Sequence, residues 1–191
     1  MVAKSKKAPI KSELLFKVGK DTPKWYSIEL SSTKSSNEKY SQQQSEEIYR
    51  QECQLYEQLH QQDQSSDYQW LQTSLSTTSK DRLAALVTLI RRSPIHSIKQ
   101  LENLVQLLQT NIQHRRDALT ISEVLEDLFV NVYLPENRRL NPFNQSANSK
   151  QTAILMIFEH SLKRLYSSFL DLIQVSFIFV FIVRIGFVLS K

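Results

Sequence analysis

Only two glycines, Gly19 and Gly186, occur along the 191 residues of this chain. A backbone that must turn at positive φ, or press against a phosphate, uses glycine because a Cβ would clash. Phosphate-cradling loops, nucleophile elbows and dinucleotide-binding turns therefore cannot be built from this sequence. Tight two-residue hairpins also want glycine. The scarcity points away from a sheet of many strands and toward helices.

Hydrophobic spacing points the same way. From residue 46 onward Tyr49, Cys53, Tyr56 and His60 recur by four, three and four, with Ile48, Leu55 and Leu59 beside them. That spacing is one broad apolar stripe on a helix otherwise rich in Gln and Glu. Tyr68, Trp70 and Leu71 open a short helix or turn. In "TTSKDRLAALVTLIRRSPIH", Thr78 precedes Asp81 by three, the pattern of a capping box, and Leu83, Leu86, Val87 and Ile90 share a face. Pro94 disfavours helix at Ser93. Ser97 and Gln100 predict a second cap, followed by the face Ile98, Leu101, Leu104, Val105 and Leu108. A further helix over 115–134 presents Ile121, Leu125, Leu128, Phe129 and Val132, and another from about Ser149 presents Ile154, Ile157, Phe158, Leu162, Leu165 and Phe169.

Short connections make consecutive helices antiparallel. The expected fold is all-α: stacked antiparallel helix pairs, a HEAT/armadillo-like α-solenoid fragment, behind a disordered basic N-terminus. Three regions follow: a flexible basic and polar lead-in over 1–45, a helical-repeat scaffold over 46–174, and an apolar tail over 175–191. Within the lead-in, Trp25 and Tyr26 are candidates for an aromatic anchor on the folded part.

Reactive groups are scattered. His60, His96, His114 and His160 form no local metal motif, and Cys53 is the one cysteine. Cys53 reads as a small core residue. His96, at a helix–helix turn, reads as a packing or capping group. Glu123, Glu126 and Asp127 read as a solvated acidic face. With no assembly of nucleophile, base and orienting group, the chain is expected to be non-catalytic, with no cofactor and no metal. The basic N-terminus lacks the apolar core of a signal peptide, so a reducing compartment is the default.

A net charge of +5 favours polyanions. The candidate RNA or phosphate contacts are Lys4, Lys6 and Lys7 in the lead-in, with Arg91, Arg92, Arg115, Arg116, Arg138 and Arg139 near helix ends. If stacking brings these ends to one edge, they form a positive stripe. The competing explanation is local: a solvated tail, and cations complementing helix dipoles.

Several stretches, in order, resemble one family: "KWY", "KDRLAALVTLIRRSPIHSIKQLENLV", "RRDALTISEVLEDLFVNVYLPENRRLNPF" and "FEHSLKRLYSSFLDLIQ". They are similar to the N-terminal portion of the CCAAT/enhancer-binding protein zeta and nucleolar-complex (CBF/Mak) family, over residues 24–174. The resemblance implies an α-solenoid scaffold in assembly and transport of the large ribosomal subunit precursor. It also implies residence in the nucleus or nucleolus, contact with pre-ribosomal RNA or particles, and a partner protein from the nucleolar-complex group. A role in CCAAT-dependent transcription, with DNA or chromatin as partner, is the second implication. The family's later CBF region has no counterpart in this sequence.

The tail carries a third reading. Residues 172–189 as a helix would span about 27 Å, close to the hydrocarbon core of about 30 Å. Arg184 would cost roughly 2.5–3.5 kcal/mol at the bilayer centre. The chain would then be a tail-anchored membrane adaptor. Alternatively, Gln174-Val175-Ser176 is what an exon end followed by the splice-donor sequence CAG-GTAAGT encodes, and the apolar run after it is what T-rich intron sequence encodes. Residues 175–191 are then intron read-through or an alternative terminal exon.

Overall fold

A computed structural model describes residues 13–17, 25–27, 39–62, 66–76, 79–134, 136, 139–140, 143 and 147–189, the last stretch without its side chains from 176 onward. Among them six α-helices form: α1 (Gln42–Gln62), α2 (Ser66–Ser74), α3 (Ser79–Arg92), α4 (Ile98–Asn111), α5 (Arg115–Leu128) and α6 (Lys150–Leu189). Short 3-10 turns occur at Trp25–Ser27 and Ile95–Ser97, and α5 runs on into a π turn at Phe129–Tyr133. The fold is all-α and helical-repeat-like. Helices α2 to α5 pack each on the next, and α6 packs on α4. On α4, α5 and α6 the apolar faces predicted from spacing are turned into the core, whereas most of the α1 stripe is half-buried. Leu101, Leu104 and Leu108 of α4, Leu125 and Leu128 of α5, and Ile154, Phe158 and Leu162 of α6 are at most 2% exposed. Each such side chain contributes about 1.5–3 kcal/mol relative to exposure.

One pairing lies outside simple stacking. Tyr40 N–H donates to the Ala147 carbonyl (2.9 Å) and Ala147 N–H returns to the Tyr40 carbonyl (3.1 Å). This two-bond bridge holds the starts of α1 and α6 together, and the two helices pack along each other. Starting at one place and staying in contact, they run parallel. Serine caps both. Gln44 N–H bonds Ser41 Oγ (3.4 Å) while Ser41 N–H bonds Gln44 Oε1 (2.9 Å), a reciprocal capping box. Thr152 N–H bonds Ser149 Oγ (3.1 Å). The first helix therefore starts at Gln42, inside the polar stretch that composition alone assigns to the lead-in.

The expected Ser97–Gln100 cap is not made. Ser97 stands at the N-cap position of α4. The tight turn before it swings its hydroxyl back onto α3, where it donates to the Leu89 carbonyl (3.1 Å). Gln100 Oε1 is buried without a hydrogen-bond partner. Thr78 lies outside the described residues.

The lead-in over 1–45 is not free along its whole length. Phe16 and Trp25 are each 5% exposed and belong to the main apolar core. Trp25 packs edge-on against Phe158, ring centroids 4.9 Å apart. Its indole Nε1–H donates to the Val132 carbonyl (2.9 Å). That carbonyl belongs to the last turn of the α5 extension, where no later helical N–H is available. A tryptophan thus finishes a helix about a hundred residues downstream, and the physical reason for the docking is both apolar area and an orphan acceptor.

At the other end, α6 continues to Leu189. The anchor and read-through expectations for 175–191 fall largely on side chains outside the described residues. Among the described residues no helix is long and apolar enough to cross a membrane.

Candidate nucleic-acid interface and a buried polar centre

Alternating helix direction decides where the basic pairs sit. Arg91, in the last turn of α3, is ion-paired and hydrogen-bonded to Asp127, in the last turn of α5. The C-terminal ends of α3 and α5 are therefore side by side. Arg115 and Arg116 occupy the first turn of α5. At 1.5 Å per residue they lie about 17 Å along the axis from Asp127. Arg91 and Arg92 on one side, and Arg115 and Arg116 on the other, are exposed at opposite ends of the layer. The structure does not gather these two pairs on one edge. Arg139 is exposed, while Arg138, Lys4, Lys6 and Lys7 lie outside the described residues.

The dipole accounts for one pair and not the other. Arg91 and Arg92 meet the negative end of α3. Arg115 and Arg116 sit at the positive end of α5, where the dipole opposes them and Asp117 in the same turn offsets it. Asn131 Nδ2, 2.7 Å away, and the Arg91 guanidinium hold the Asp127 carboxyl below the usual carboxylate range. Glu123 and Glu126 are exposed on the outer face of α5, with Leu119 at 60% and Val130 at 62% exposure flanking them.

A second cluster is entirely interior. Ser93 Oγ lies 2.6 Å from His96 Nδ1, and His96 Nε2 lies 3.6 Å from Glu52 Oε1. Hydroxyl, imidazole and carboxylate in that order are the residue types of an acyl-transfer triad. Burial gives them a different role here. All three are at most 5% exposed. The imidazole lies flat on Tyr56, centroids 4.3 Å apart and planes within 4°. Glu52 Oε1 accepts Phe16 N–H (2.9 Å). The hydroxyl and imidazole are engaged with each other beneath other side chains, so the cluster pins the turn at 93–97 to α1. Tyr49 adds to the same junction, donating to the Ile95 carbonyl (2.6 Å).

The Glu52 and Glu159 carboxylates are buried, at 5% and 1% exposure. The signal for Glu52 was present: it falls three after Tyr49 and four before Tyr56, on the apolar stripe itself. Cys53 is half-buried, as a stripe residue should be, and burial pushes its thiol up to about 11. Among the described residues no His, Cys, Asp and Glu group could hold a metal ion.

No family model matches the chain. Over 172 residues, 79% of its length, it is 26% identical to human CCAAT/enhancer-binding protein zeta, and the aligned part covers 16% of that protein. The mouse protein of the same name is 24% identical over the same length. An uncharacterized protein of Schizosaccharomyces pombe is 32% identical over 117 residues, which cover 58% of this chain and 13% of that one. The chain thus spans about one-sixth or less of the length of these relatives.

Proposed function

Starting from its relationship to the CCAAT/enhancer-binding protein zeta family, supported over four-fifths of its length, we propose that this chain is a non-catalytic helical scaffold of a nuclear factor. It serves assembly and transport of the large ribosomal subunit precursor in the nucleolus, beside a partner of the nucleolar-complex group. The 172-residue similarity carries the reading. The helical-repeat-like packing supports it, because such layers offer broad outer faces for docking. So does the burial of Ser93, His96 and Glu52, which commits this triad-like cluster to the core. Candidate phosphate contacts are Arg92, Arg115, Arg116 and Arg139, exposed on the folded part, together with Lys4, Lys6, Lys7 and Arg138.

The name of the human and mouse relatives favours a second reading, a cofactor acting at CCAAT-containing promoters. Crosslinking the full-length chain in cells and sequencing the bound nucleic acid separates the two. Enrichment of pre-ribosomal RNA supports the scaffold reading. Enrichment of promoter DNA with no ribosomal precursor would overturn it in favour of the second.

A further inference from the structure

Among the described residues the two most exposed large apolar side chains share one helical face. Leu119 is 60% exposed on α5, and Val130 is 62% exposed on the π turn that continues it. Between them Glu123 and Glu126 are exposed as well. The four residues step by four, three and four. At 3.6 residues per turn they fall within about 60° of one another, on a line about 16 Å long. That spacing is the seam along which one helix packs against another. The inward face of α5 is already used: Ile121, Leu125 and Leu128 are buried, and the helix packs on α4. The Leu119–Val130 line faces the other way.

Its chemistry restricts what can cover it. The ends are apolar and gain by leaving water against an apolar partner. The middle is two carboxylates, and no described ion pair reaches either. Covering them with a neutral helix would bury charge without a partner, which is costly. A second copy of this chain fits badly. Antiparallel pairing about the centre of the line sets Glu123 of one copy against Glu126 of the other, and parallel pairing sets each glutamate against itself; both bring like charges together. Phosphate is repelled by the same two groups. This face is therefore distinct from the candidate phosphate contacts Arg115 and Arg116, which lie in the first turn of α5. A helix with cations opposite the two glutamates satisfies both ends and the middle at once.

We propose that the outer face of α5, formed by Leu119, Glu123, Glu126 and Val130, docks a helix of another protein that carries two cationic side chains between two apolar ones at the same 4-3-4 spacing. The inference does not rest on the ribosome-assembly reading, because it uses only the charge and exposure of this face.

The test is made in cells expressing the full-length chain with exposed Thr120, beside the line, replaced by the photocrosslinking residue p-benzoylphenylalanine. Mass spectrometry of the adduct should give a peptide from a different protein, with apolar, cationic, cationic and apolar residues at 4-3-4 spacing. That segment, synthesised and labelled with fluorescein, should bind the purified wild-type chain saturably by anisotropy. Glu123→Lys with Glu126→Lys should weaken it at least roughly tenfold, and so should Leu119→Ser with Val130→Ser. All four positions are exposed, so far-UV circular dichroism should not change. Exchanging the two cations of the peptide for glutamate should restore binding to the double-lysine chain, which a misfolded variant could not do. No protein adduct would overturn the proposal. So would an adduct with a second copy, with the chain's own N-terminal segment or with nucleic acid, a captured segment without the cation pair, or binding indifferent to the charge reversal.

Discussion

Two tyrosines in the same core make opposite predictions when their hydroxyls are removed. Tyr133 is 0% exposed and its Oη has no hydrogen-bond partner among the described residues. Burial pushes that hydroxyl well above the usual phenol range. A buried, unpaired hydroxyl costs roughly 1–3 kcal/mol of desolvation. Tyr133→Phe removes the cost, keeps the ring against Phe129 and Phe158, and forfeits only a few tenths of a kcal/mol of dispersion. The expected result is neutral to about 1.5 kcal/mol more stable. Tyr49→Phe removes a 2.6 Å bond and strands the Ile95 carbonyl. It should cost about 1–2 kcal/mol. In a chain of this size each kcal/mol moves Tm by about 2–4 °C, so the two variants should melt roughly 2–14 °C apart. Urea unfolding followed at 222 nm, with linear extrapolation, measures both. A Tyr133→Phe variant destabilised by more than about 1 kcal/mol would refute the reasoning, because its hydroxyl would then be bonded in solution.

Other expectations follow from the same contacts. Ser41→Ala breaks the reciprocal cap of α1 and should cost about 1 kcal/mol by urea unfolding; Ser41→Gly should recover most of it. The Cys53 thiol keeps its proton to about pH 11, whereas the unfolded thiol titrates near 8.5. The folded state then binds more protons, so stability should fall as pH rises through that window, by at most ~1.4 kcal/mol per unit for one group, and Cys53→Ala should flatten the decline. Arg115→Ala with Arg116→Ala, if both contact RNA phosphates, should lower the salt dependence of RNA binding by a slope of about 1.4–1.8, measured by filter binding from 50 to 200 mM salt. An unchanged slope would remove that pair from the interface.

What could be read without coordinates was what depends on near neighbours along the chain. Leu101, Leu104 and Leu108 announce a helix face by spacing, and Pro94 announces where a helix stops. Local signals also misled where two neighbours compete for one group. Ser97 sits correctly for a cap, yet the Leu89 carbonyl across the turn takes its hydroxyl. The Ser41–Gln44 box was written in the sequence and hidden by a surrounding run of Ser and Gln that looks like loop. Partners distant in sequence left no trace in periodicity. Nothing about Trp25 names Val132, and nothing about Tyr40 names Ala147. For the candidate interface, the residue types were legible but their placement was not. Whether Arg91 and Arg115 face one edge depends on helix direction, which the Arg91–Asp127 pair reveals.

The Tyr40–Ala147 bridge also sets an order of events during synthesis. Its two halves leave the ribosome on the order of a hundred residues apart, roughly 5–20 s at ordinary translation rates. Hairpins α3–α4 and α4–α5 can close as soon as they emerge, since their contacts are local. Helix α1 can meet the turn at 93–97 early, through Tyr49 and Tyr56, but the face it packs along α6 must wait until α6 arrives. A nascent chain arrested before Lys150 should therefore hold chaperone on the opening segment, and one arrested well past Val175 should let it go.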